Sequence, residues 1–73
     1  MMSQLTVPEI AEKIGRFYLA MREQESPEII VKEINDILIY GDKVPLSLLK
    51  SAWDYFAKRK GVTLEIDIEN RIP

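Results

Sequence analysis

The chain contains no cysteine and no histidine. Without cysteine, no disulfide can staple a small fold. Without either residue, a structural zinc site has lost its usual sulfur and nitrogen ligands. The same absences remove the commonest general base and the most reactive nucleophile. Serine occurs at four positions, Ser3, Ser26, Ser47 and Ser51, and Ser26 and Ser47 fall at or near expected helix starts, where capping accounts for them. Glycine is scarce: Gly15, Gly41 and Gly61 are isolated, so no glycine-rich phosphate loop is present, and the last two read as helix terminators. Carboxylates pair locally, as Glu9 with Glu12 or Glu65 with Asp67, but nothing in the pattern places them in a pocket. The expectation is a protein that is not an enzyme, with no cofactor and no metal.

Long apolar runs are also missing. None approaches the ~18 residues of a membrane span. Met1-Met2-Ser3-Gln4 lacks the basic and apolar parts of an export signal. The expected compartment is the cytoplasm, which the lack of cysteine permits. Net charge is −2, so a chain-wide basic footprint for nucleic acid is absent. What the 73 residues do have is a hydrophobic fraction of 47%, enough for a globular core. A domain this small buries a modest share of its surface, so good packing or a partner chain must supply stability.

The chain reads as one small, mainly α domain spanning residues 1–73, with three helices and a C-terminal β-strand. It becomes α+β if that strand pairs with the N-terminal arm or with a second subunit. The first helix is expected over about 7–24. Thr6-Val7-Pro8-Glu9 fits a capping box, with Leu5 and Ile10 as a hydrophobic staple. Ile10, Ile14, Phe17, Tyr18 and Met21 form one stripe at helical period, and Leu19 points elsewhere. The second helix is expected over about 27–40, capped by Ser26, with Pro27 in its first turn and Gly41 just beyond its end. Its apolar residues cover about 200° of circumference, which is the mark of a helix touching two neighbours. The third is expected over about 45–60, with Leu46, Leu49, Ala52, Trp53, Phe56 and Ala57 on the main stripe and Leu48 with Tyr55 on a second ridge. Lys58-Arg59-Lys60 complement the negative end of its dipole.

Residues 62–69 then alternate: Val62, Leu64, Ile66 and Ile68 against Thr63, Glu65, Asp67 and Glu69. Period two is the signature of a half-buried strand. One strand needs a mate for its backbone groups. The short alternating arm Met1, Ser3, Leu5, Val7 could serve in cis, but Thr6 is claimed by the helix cap. The same strand of a second copy, antiparallel about a two-fold axis, is the favoured mate. The acidic face reads as solvated gatekeeper charge.

Two functional readings follow. The first is a non-enzymatic interaction or oligomerisation module, homodimeric through the strand and apolar helix surface, with Leu48, Tyr55, Val62, Leu64, Ile66 and Ile68 at the interface. The alternative is a small DNA-binding regulator using the third helix, with Lys50, Lys58, Arg59 and Lys60 as contacts; residues 43–61 carry five cations against Asp54 alone. Against it, Lys50, Asp54 and Lys58 are spaced for i,i+4 ion pairs, and Pro45-Leu46-Ser47-Leu48-Leu49 offers few base-reaching side chains. In length and acidity the chain resembles acyl carrier proteins, but their Asp-Ser-Leu motif is absent and Leu46-Ser47-Leu48 does not replace it. The closing helix and expected strand resemble the end of hydrogenase nickel-maturation chaperones, whose Met-His terminus and cysteine zinc motifs are also absent.

Overall fold

The computed structural model describes residues 5–61 and 68–72. It is mainly helical, with α1 at Val7–Met21, α2 at Pro27–Asp36, α3 at Leu46–Lys60 and a single closing turn, α4, at Ile68–Arg71. No strand occurs among the described residues. Most of the expected strand, 62–67, lies outside them. Its last two positions, Ile68 and Glu69, belong to the helical turn instead.

The helix starts follow their caps. The Thr6 hydroxyl accepts from the Glu9 N–H at 3.4 Å, and the Glu9 carboxylate accepts in return from the Thr6 N–H at 2.9 Å. These two bonds satisfy backbone donors that the first turn cannot pair internally. The Ser26 hydroxyl accepts from the Ile29 N–H at 3.4 Å, with Pro27 opening α2. Pro45 itself is the N-cap of α3, so that helix begins at Leu46 without a side-chain cap.

The ends differ from the sequence reading in two places. Helix α1 stops at Met21 rather than near Gln24. The Met21 carbonyl accepts from both Gln24 and Glu25, at 2.9 and 3.0 Å, and this closes the chain into a turn. Helix α2 does not stop at Gly41 by a left-handed residue there. It widens into a π-helical turn over Ile37–Gly41, in which the Asp42 N–H reaches the Ile37 carbonyl at 3.2 Å. Lys43 takes the left-handed conformation, at φ 59°, and Val44 closes back on the Leu38 carbonyl at 2.9 Å. The Lys13–Asp42 ion pair, 2.8 Å, ties this turn to α1. Helix α3 ends as expected, at a left-handed Gly61.

The core gathers Ile10 and Ile14 from α1, Ile30, Val31 and Ile34 from α2, Leu38 and Val44 from the wide turn and the residues after it, and Leu49, Ala52, Trp53 and Phe56 from α3. Each large side chain so buried contributes about 1.5–3 kcal/mol relative to exposure. The Trp53 and Phe56 rings meet edge to face, with centroids 6.0 Å apart. The most extensive packing is α1 on α3, with α2 laid across and α4 closing against α2 and α3. Among the described residues no helix is long and apolar enough to cross a membrane.

Candidate functional site

Three features stand out: a buried polar clamp, an open groove, and an outward apolar stripe. The clamp is on the α2–α3 side. Asn35 is fully buried, the one buried polar side chain among the described residues. Its Oδ1 accepts from the Trp53 indole N–H at 2.7 Å, and its Nδ2 donates to the Arg71 backbone carbonyl at 3.0 Å. Arg71 also pairs through its guanidinium with Glu28. Ile68 and Ile72 pack against the core at the same place. One amide thereby joins α2, α3 and α4, and no buried side-chain polar atom among the described residues is left unpaired. An unpaired polar group in such a site would cost about 1–3 kcal/mol. The sequence reading missed Asn35. Its signal was a polar residue inside the buried stripe of α2, beside a lone tryptophan whose indole needs an acceptor.

The opposite side of α3 is open. Between α1 and α3 runs a groove of about 520 Å³. Ala11, Gly15 and Phe56 form its floor, Tyr18 and Tyr55 its walls, and Leu19 stands at its edge, 59% exposed. The Tyr18 and Phe56 rings are 5.7 Å apart. Arg16 on α1 and Arg22 just beyond its end, with Arg59 and Lys60 from α3, surround this apolar floor, and Glu12 is the one acid lining it among the described residues. Arg59 lies over the Tyr55 ring, 5.5 Å from its centroid. Among the described residues no carboxylate pairs with Arg16, Arg22 or Lys60.

The stripe is broad and crosses from α2 into the wide turn after it. Ile29 on α2 and Ile37 and Tyr40 on the wide turn are exposed by 45%, 40% and 62%; they share one side, with the exposed Glu33 between Ile29 and Ile37. This is the outer part of the wide apolar arc; the inner part is core. The Lys32–Asp36 pair, 3.2 Å, borders it.

The expected site residues separate on this frame. Leu48 and Tyr55 are half-buried against the core, and only Tyr55 reaches the groove. Ile68 packs inward from α4. Val62, Leu64 and Ile66 lie outside the described residues. Of the expected nucleic-acid contacts, Lys58 pairs with Asp54 at 3.2 Å, Lys50 is exposed, and Arg59 and Lys60 belong to the groove. Arg16 and Arg22 were not singled out from sequence, because only the register of α1 on α3 brings them beside Arg59. The Glu9 carboxyl is held below its ordinary range by the backbone N–H of Thr6 and then by the Thr6 hydroxyl, and this is a capping effect. Among the described residues no three acidic side chains cluster as a metal site. No protein family, no characterised protein and no solved structure matches this chain.

Proposed function

We propose that this chain is a non-enzymatic protein–protein interaction module of the cytoplasm that pairs with a second copy of itself through the apolar outer surface of α2 and the wide turn after it. The observation that supports this reading is the exposure of Ile29 on α2 and of Ile37 and Tyr40 on the wide turn after it, three large apolar side chains on one side of a segment whose inner face is already satisfied by the core. In a two-fold pair the same patch faces itself on both copies, so apolar side chains meet apolar side chains. Tyrosine at the end of the line suits an interface, since it joins apolar area to a polar tip. A stable interface buries about 800 Å² per partner, more than these side chains supply. Association through them alone is therefore weak and rises with concentration. Strand pairing through 62–67 would add to it.

The test is the solution mass by light scattering on a sizing column over a wide range of concentration. A mass rising toward twice the monomer, and returning to the monomer in Ile37→Lys, supports the reading. A monomer throughout sinks it. Deletion of residues 62–73 is not a clean test, because it also removes the Arg71 carbonyl from Asn35.

A second reading, binding of duplex DNA through α3, draws on the cations Arg59 and Lys60 at the groove. Its test is a mobility shift at low salt, lost on replacing Lys58-Arg59-Lys60 and weakened steeply by added salt.

A further inference from the structure

We propose that the groove between α1 and α3 receives an acidic amphipathic α-helix from a partner protein. The proposal is independent of pairing through α2, which uses another face.

Three observations fix the occupant. The first is shape. On α1 the groove extends from Pro8 to Arg22, about four turns or ~21 Å of helix axis. A compact small molecule does not need a floor that long, whereas a helix laid alongside α1 and α3 fills it and makes the bundle four-stranded. Helix axes in such packing are about 8–10 Å apart, which calls for small side chains at the crossing. Ala11 and Gly15 supply small side chains at the floor, where they also let α1 lie close on Phe56 of α3.

The second is Gly15 itself. It lies inside α1, where glycine costs about 1 kcal/mol relative to alanine. A Cβ there would meet the Phe56 ring at 3.4 Å, within van der Waals reach, so the packing of α1 on α3 does not demand glycine. A residue larger than alanine there would press on the Phe56 ring and narrow the groove that both residues line.

The third is charge. The whole chain carries −2, yet among the described residues the groove is lined by four cations against Glu12. Positive charge is thus concentrated on one face of an acidic protein. It surrounds an apolar floor, an arrangement that matches a helix with an apolar stripe flanked by Glu and Asp. A nucleic-acid backbone would use the cations and leave the exposed Leu19 at the edge of the groove facing water.

The test is selection from a displayed library of amphipathic helices of about five turns, with a fixed apolar stripe and randomised flanks, on the full-length chain. Enriched helices should carry acidic flanks and bind more tightly as salt is lowered. Binding should fall about tenfold or more in Arg16→Glu/Arg22→Glu and in Leu19→Asp. These side chains are exposed, so an unchanged thermal melt by circular dichroism shows that both variants remain folded. The proposal is overturned by enrichment without acidic bias, by affinities unchanged in both variants, or by no enrichment over the doubly substituted chain. Equal competition by duplex DNA would also overturn it, and would move the groove to the nucleic-acid reading.

Discussion

The two sides of α3 are finished in different ways. Toward α2 and α4, its Trp53 is sealed under a hydrogen-bonded amide, and every buried side-chain polar atom described there has a partner. Toward α1, within two turns of Trp53, Tyr55 and Arg59 look into a groove floored by a glycine and an alanine. The closed side is specified by direction: an indole N–H, an amide and a carbonyl must meet at fixed angles. The open side is specified by the absence of bulk and the sign of the charge. Directional bonds select one arrangement of the chain and punish others. A small-residue floor with a cationic rim selects little about the fold and leaves room for something else. The contrast suggests that stability is concentrated on one face of this helix and recognition on the other.

Breaking the closed side should have the larger effect. Asn35→Leu keeps the volume apolar but strips the Trp53 N–H and the Arg71 carbonyl of their partner, so a loss of about 1–3 kcal/mol is expected by urea unfolding at 25 °C. Amide exchange should accelerate in the C-terminal turn well before the rest of the chain. A variant as stable as the parent, with α4 still protected, would mean that the clamp is incidental. On the open side Gly15→Ala should do the reverse. Helix propensity favours it by up to about 1 kcal/mol, and the added methyl only touches Phe56. The same change should weaken any helix that binds the groove. Stability and binding would then move in opposite directions at one residue.

The smallest expected effect belongs to neither side and serves as a control. The Glu9 carboxyl has its pKa lowered in the folded chain by the Thr6 backbone N–H. A depressed carboxylate contributes stability that is fully present above the ordinary glutamate value and is lost as pH falls through the lowered one. The difference in unfolding midpoint between the parent and Glu9→Ala should therefore be constant at neutral pH and shrink in acid. A gap that widened on acidification would contradict the sign.

Much of the helical layout was legible in the sequence because its signals are local. Thr6 with Glu9, Ser26 with Pro27, and Gly61 each act within one turn, and the stripes of α1 and α3 repeat at helical period. What was not legible depends on contacts between distant elements. Alternation at 62–69 is a one-dimensional pattern. At its far end it competes with the four-residue spacing of Ile68 and Ile72, and the capture of the Arg71 carbonyl by Asn35 favours the helical turn there. The wide turn after Asp36 depends on Leu38 and Val44 both reaching the core. Leu19 was visible as a residue off the stripe, but the groove it borders exists only once α1 rests on α3.

The bond from Asn35 to residue 71 ends on a main-chain oxygen. Any amino acid at that position would offer the same acceptor, so the contact is blind to the identity of the side chain and sensitive only to whether the chain extends that far. It works as a gauge of length. Substitutions at 71 forfeit a surface ion pair with Glu28 and little more, whereas a chain clipped before it leaves a buried amide with an empty hand. Cleavage of the backbone ahead of residue 71 would then be felt at once throughout the joint between three helices, whatever side chain stands there.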